Sequence, residues 1–195
     1  MGPYPAAGRR PVTCQPWTDA VELARAARLQ GTARQALRVM KMDAYLLLLL
    51  FRMRRLCLRA RIPIVNRVLR LCQMVFGGIE LGNDISLGSG VYFIHSLGTV
   101  VGGTSFVGNR VRFMGNNTVG TNHDNGCPTI EDDVQVGCGA RILGPVRIGA
   151  RAVIGANSVV LSDVPPDAVA VGAPARIISR VERRGEPALQ LVASG

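Results

Sequence analysis

Thirteen apolar residues of this chain recur on a step of six in three runs: Leu81, Leu87 and Phe93; Val101, Val107, Phe113 and Val119; Ile130, Val136, Ile142, Ile148, Ile154 and Val160. Neither the 3.6-residue period of an α-helix nor the alternation of an amphipathic strand produces such a series. A parallel β-helix of hexapeptide repeats does, because each apolar side chain turns inward and stacks on its equivalents in neighbouring coils. Glycine directly follows eight of the thirteen, as Gly82, Gly88, Gly102, Gly108, Gly120, Gly137, Gly149 and Gly155. It is read as the residue that lets the chain turn the corner between short faces.

The phase slips twice, by a step of eight from Phe93 to Val101 and of eleven from Val119 to Ile130. Extra residues leave a solenoid only as loops, and such loops collect on a binding face. The chain's two histidines fall in these slips, His95 in the first and His123 in the second. That coincidence marks both loops as candidate site.

Charge divides the 195 residues unevenly. Residues 1–78 hold 14 Lys and Arg against 3 Asp and Glu, a net +11, whereas residues 79–195 hold 9 against 10, a net −1. Three parts follow: a basic α-helical N-terminal extension (1–78), the β-helix domain (79–180) and a C-terminal tail (181–195). A near-neutral β-helix argues against nucleic acid bound along its length. In the extension, Thr18 or Asp19 is expected to cap a helix over 20–29, Gly31 to interrupt it, and a second helical stretch to start at Thr32. The apolar run 44–51 is far short of the roughly 20 residues that span a bilayer. Beyond it Arg52, Arg54, Arg55, Arg59, Arg61, Arg67 and Arg70 interleave with apolar residues, broken by Pro63. Two readings fit: a helical cap or oligomer contact whose arginines are solvated or paired, and peripheral contact of 44–76 with an anionic membrane surface or a phosphorylated substrate.

The first sixteen residues hold no apolar core of a secretory signal, so the cytoplasm is the expected compartment. Cys14, Cys57, Cys72, Cys127 and Cys138 show no metal spacing and read as free thiols. Glu131, Asp132 and Asp133 point in different directions if extended, so a solvated turn is expected there and no metal.

Three segments carry a family resemblance. Ile94-His95-Ser96-Leu97-Gly98-Thr99-Val100-Val101-Gly102 is similar to Asp-His-Ala-Thr-Gly-Ile-Val-Val-Gly of the serine O-acetyltransferases. Pro128-Thr129-Ile130 with Val136-Gly137-Cys138-Gly139-Ala140-Arg141-Ile142-Leu143-Gly144 resembles their Pro-Lys-Ile and Ile-Gly-Ala-Gly-Ala-Lys-Ile-Leu-Gly. Ile154-Gly155-Ala156-Asn157-Ser158-Val159-Val160, leading to Val164-Pro165-Pro166 and Gly172-Ala173-Pro174-Ala175-Arg176-Ile177, resembles the closing signature of many hexapeptide acyltransferases. The resemblance implies a left-handed β-helix, acetyl transfer from acetyl-CoA to a hydroxyl, and a cleft between the subunits of a homotrimer.

Within that resemblance His95 matches the catalytic base, a role that suits an imidazole because its ordinary pKa of about 6.5 leaves it mostly neutral in the cell. Glu80 falls where the family has an aspartate that orients the histidine. Gly120, Thr121, Gly139, Ala140, Gly155 and Ala156 are the implied lining for coenzyme A, and Arg176 the implied phosphate partner. The chain departs from the family at the acceptor: the aspartate before the histidine is Ile94, and the loop's Asp-Arg-His-Pro reads Asn125-Gly126-Cys127-Pro128. Ile94, Gly126 and Cys127 are therefore candidate substrate-binding positions, and His123 a candidate replacement for the missing loop histidine. Cys127 reads as a pocket-lining thiol rather than a nucleophile.

The implied function is O-acetylation of serine or a serine-like small molecule. A sugar or polysaccharide-precursor acetyltransferase at the membrane surface and a non-catalytic hexapeptide scaffold stand beside it. Residues 1–78 are shorter than the family's helical domain, which leaves trimer and hexamer both open, and with an end at Val192-Ala193-Ser194-Gly195 instead of isoleucine docking to the next enzyme of cysteine synthesis is not expected.

Overall fold

A computed structural model describes residues 16–40, 43–123 and 125–180. Cys14, the opening segment and the tail 181–195 lie outside the described residues. From residue 79 onward the chain is a parallel β-helix of three sheets. Sheet A stacks β1 (Ile79–Leu81), β4 (Thr99–Val101), β7 (Thr118–Gly120), β10 (Arg141–Leu143) and β13 (Val159–Val160). Sheet B holds β2 (Ser86–Leu87), β5 (Phe106–Val107), β8 (Thr129–Ile130) and β11 (Arg147–Ile148). Sheet C holds β3 (Tyr92–Phe93), β6 (Arg112–Phe113), β9 (Gln135–Val136), β12 (Val153–Ile154), β14 (Ala168–Val171) and β15 (Arg176–Arg180), and closes with the antiparallel β14–β15 pair.

All thirteen repeat residues are 2% exposed or less. Each strand from β1 to β13 contributes one of them, so a step of six carries the chain from one sheet to the next. The stack is tight enough to lay Phe93 on Phe113 with ring centroids 5.2 Å apart. Burying each such side chain contributes about 1.5–3 kcal/mol, which is why the period survives as a readable signal.

The glycines after these residues serve a different purpose from the expected one. None of the eight has a left-handed backbone. Four of them, Gly88, Gly108, Gly137 and Gly149, are glycine because the next coil's backbone lies against them: a Cβ on Gly88 would stand 2.5 Å from the Gly108 carbonyl, on Gly137 2.5 Å from the Ala156 nitrogen, and on Gly149 2.3 Å from the Pro166 nitrogen. At the corners from sheet B to sheet C, after Gly90 in the first coil, the left-handed position falls to Arg110, Asp133, Arg151 and Asp167. Their charges alternate from coil to coil, and Arg110 pairs with Asp133 at 2.7 Å and Arg151 with Asp167. The acidic run 131–133 does turn at Asp132 and Asp133, but its carboxylates are paired: Glu131 bonds Arg147 and the Ala150 amide, Asp132 bonds Asn109, and Asp133 bonds Arg110.

The extension forms four helices, α1 (Pro16–Ala26), α2 (Ala33–Val39), α3 (Asp43–Arg59) and α4 (Pro63–Gly77). Thr18 and Asp19 sit inside the first turn of α1 rather than at its cap, and the helix stops before Leu29, where Arg28 turns left-handed. Asp19 is buried and serves the tertiary fold. Its carboxylate takes two hydrogen bonds from Arg52, at 3.0 and 3.1 Å, and the same guanidinium donates to the carbonyls of Leu87 and Gly88 at 2.9 and 2.7 Å. Arg54 donates to Gln73, Asn66, Asn83 and the Leu81 carbonyl. These two arginines, together with α1 lying on Gly90, fasten the helices to the first coil. Ile64, Val68, Leu71, Val75 and Phe76 of α4 remain exposed. Among the described residues no helix is long and apolar enough to cross a membrane.

Candidate active site

The first slip is the loop 94–98, which joins sheet C to sheet A. Four backbone bonds hold it: Ile94 N–H to Phe113 O at 2.8 Å, Gly98 N–H to Gly78 O at 2.8 Å, Asn116 N–H to Leu97 O at 3.0 Å and Thr99 N–H to Ser96 O at 3.0 Å. Gly78, left-handed at φ 60° where it ends α4, lets Leu97 pass directly over it. His95 is exposed and is backed by Gly115, where a Cβ would come within 2.9 Å of the histidine's own. Beside it opens a cavity of about 480 Å³, walled by residues 92–97 and, from α3, by Asp43, Ala44 and Leu47. Ile94 is half-buried in that wall.

Glu80 lies on β1 opposite Val100 of β4, the strand that leaves the His95 loop. Its carboxylate is paired with Arg70 of α4. The sequence offered no sign of this arginine, because it sits among six others in the run from Arg52 to Arg70.

The second slip, 121–128, joins sheet A to sheet B. His123 is exposed at φ 55°, and Thr121 is exposed beside it. Gly126 has φ 126° and a Cβ there would crowd Pro145 at 3.0 Å. Cys127 is half-buried, packs over Gly103, and its Sγ accepts the Thr104 amide at 3.3 Å. The thiol thus ties the loop to the preceding coil.

The chain does not unite its two histidines. His95, Gly139 and Ala156 follow the C-to-A corner of the solenoid, whereas Gly120, Thr121, His123, Gly126 and Cys127 follow the A-to-B corner. Sheet A, up to three residues wide, lies between the two corners and separates them by about 10 Å at roughly 3.3 Å per residue. Two glycines of the A-to-B corner stand out: an added Cβ on Gly102 or Gly120 would meet nothing within 4 Å. Nothing in the chain itself requires glycine there.

Two expected lining residues do not face any cleft. Ala140 is fully buried inside the coil, and Gly155 is buried beneath Val171. Gly139, left-handed at φ 74° under the Asn157 amide, is half-buried, and Ala156 is exposed. Arg176 is exposed on β15. Asp43 is the wall residue that the sequence reading missed, since a lone acid ahead of an apolar run carries no signal of its own.

Comparison with known proteins places this geometry in a family. The family model "Bacterial transferase hexapeptide (six repeats)" matches residues 127–162. Serine acetyltransferase of Synechococcus elongatus is 38% identical over 130 residues, which are 65% of this chain and 53% of that protein. The chain therefore spans about half the length of this curated relative. Soybean serine acetyltransferase complexed with serine superposes with a TM-score of 0.73 at 33% identity, covering 84% of this chain and 70% of the soybean chain. A serine acetyltransferase in complex with CoA gives 0.71 at 29% identity, over 82% of this chain and 68% of that one. At 33% identity over 70% of the soybean chain, and with the hexapeptide model matched in its coils, the chain belongs to the serine acetyltransferase family of hexapeptide-repeat proteins.

Proposed function

We propose that this protein transfers acetyl from acetyl-CoA to the hydroxyl of serine or a serine-like small molecule, at a site shared between copies of a trimer. One observation carries the reading: the repeat of this chain breaks to hold an exposed histidine at the mouth of a cavity of about 480 Å³; of its solved relatives one is complexed with serine and another with CoA. His95 takes the hydroxyl proton as the oxygen attacks the thioester carbonyl. The C–S bond then breaks, and the departing thiolate recovers that proton from the imidazolium. Glu80, held by Arg70, is the carboxylate that steadies the imidazolium.

Acetyl-CoA runs along the open strip of Gly102, Gly120 and Thr121 on one copy, against Gly139 and Ala156 on the next. Glycine suits such a strip because it lets a pantetheine arm approach the main chain. Arg176 supplies a donor for a phosphate.

The test is coenzyme A release from acetyl-CoA with L-serine as acceptor, in the wild type and in His95→Ala. Removing a general base should cost about 10²–10⁴-fold in rate. Turnover that survives the substitution would remove His95 from the chemistry, and no consumption of acetyl-CoA by the wild type would leave the β-helix as a scaffold.

A further inference from the structure

The cavity beside His95 has one fully charged side chain on its walls, the carboxylate of Asp43 at the start of α3. Its other walls are apolar or neutral, chiefly Leu47, Phe93, Ile94, Ser96 and Leu97. Among the described residues no Lys or Arg lines it. Arg112, the strand neighbour of Tyr92, lies outside the walls, and the loop segment Asn125-Gly126-Cys127-Pro128 carries no charge. Asp43 is exposed where it meets the cavity, so its carboxylate can take a charge-assisted hydrogen bond from a cationic group on a ligand, whereas the lining offers an anion no partner.

Resting on the acetyl-transfer reading, we propose that Asp43 selects the acceptor: it binds an ammonium group on the hydroxyl substrate, and the pocket is indifferent to whether that substrate also bears a carboxylate. The acceptor class is the β-hydroxy ammonium compounds, of which serine is one member and the amino alcohols are others. Asp43 reaches the pocket from a helix of the extension, while Ile94 and His95 reach it from the β-helix. The docking of α3 onto the first coil is therefore what assembles the selectivity.

Four acceptors of nearly equal size separate the two charges: serinol, glycerol, L-serine and glycerate. Their kcat/KM values are measured with the wild type, Asp43→Asn and Asp43→Glu. Serinol and L-serine should fall within about tenfold of one another, and each should exceed glycerol and glycerate by about 10–100-fold, the worth of one charge-assisted hydrogen bond. Asp43→Asn should erase that advantage while the glycerol rate stays within about threefold, and Asp43→Glu should keep the ranking. The glycerol rate doubles as the measure of intact folding. Glycerol used as well as serinol, L-serine preferred over serinol by more than about 100-fold, or an equal fall for all four in Asp43→Asn would each overturn the inference while leaving acetyl transfer in place. Failure of the wild type to acetylate any of the four would overturn the acetyl-transfer reading and this inference with it.

Discussion

Arg52 is 2% exposed in a stretch that reads as solvated and basic. It is tolerated because every face of the guanidinium has an acceptor, two from Asp19 and two from the backbone of the first coil. Arg52→Met should cost about 3–5 kcal/mol, since it strands a buried carboxylate and two carbonyls at once. Asp19→Ala should cost less, about 1–3 kcal/mol, because Arg52 keeps the Leu87 and Gly88 carbonyls. Urea unfolding of the two variants checks the order, and equal losses would mean that the backbone contacts carry nothing. Arg54 is the complementary case, with neutral acceptors only among its hydrogen-bond partners; burial, and then the nearby Arg70, push its pKa down. Neither arginine was legible in the sequence. Their partners lie 12 to 36 residues away, and a run of seven arginines contains nothing that separates the buried two from the rest.

At the scale of the coil, the repeat was fully legible in its apolar positions and misleading in its glycines. The apolar step reports burial directly, so all thirteen positions are found inside. The glycine that follows looks identical in every coil, yet Gly137 touches the backbone above it while Gly102 and Gly120 touch nothing. Only the stacking of one coil on the next distinguishes them. Gly137→Ala should therefore destabilise the protein by about 1–3 kcal/mol, because a backbone nitrogen cannot move aside as a side chain can. Gly102→Ala and Gly120→Ala should change stability by no more than about 0.5 kcal/mol and weaken acetyl-CoA binding by about tenfold or more. Thermal unfolding paired with acetyl-CoA titration reads both quantities in the same samples. Unchanged binding would show that the cofactor does not run along this strip. A loss of stability like that of Gly137→Ala would show that the corner is already closed within one chain.

On the trimer reading proposed above, one chain supplies half of each site. The two loops that break the repeat leave from opposite edges of sheet A, and the intervening strands set His95 apart from His123. The sequence located both loops, and the repeats that precede them, three before the first slip and seven before the second, set them on different corners once the coil has three faces. A cyclic assembly solves the separation by setting the His95 corner of one copy against the His123 corner of the next, and the exposed apolar residues of α4 add surface that such an assembly can cover. Subunit mixing makes this measurable. His95→Ala and His123→Ala should each be nearly inactive as pure proteins. Co-expressed in equal amounts and purified together, random assembly leaves both histidines intact at about a quarter of the shared sites, so activity should return to about a quarter of the wild-type value. A site contained within one chain would recover nothing, since every chain in the mixture carries one of the two lesions. Full activity of pure His123→Ala would instead retire the second histidine and leave His95, with the wall that Asp43 completes, as the catalytic centre.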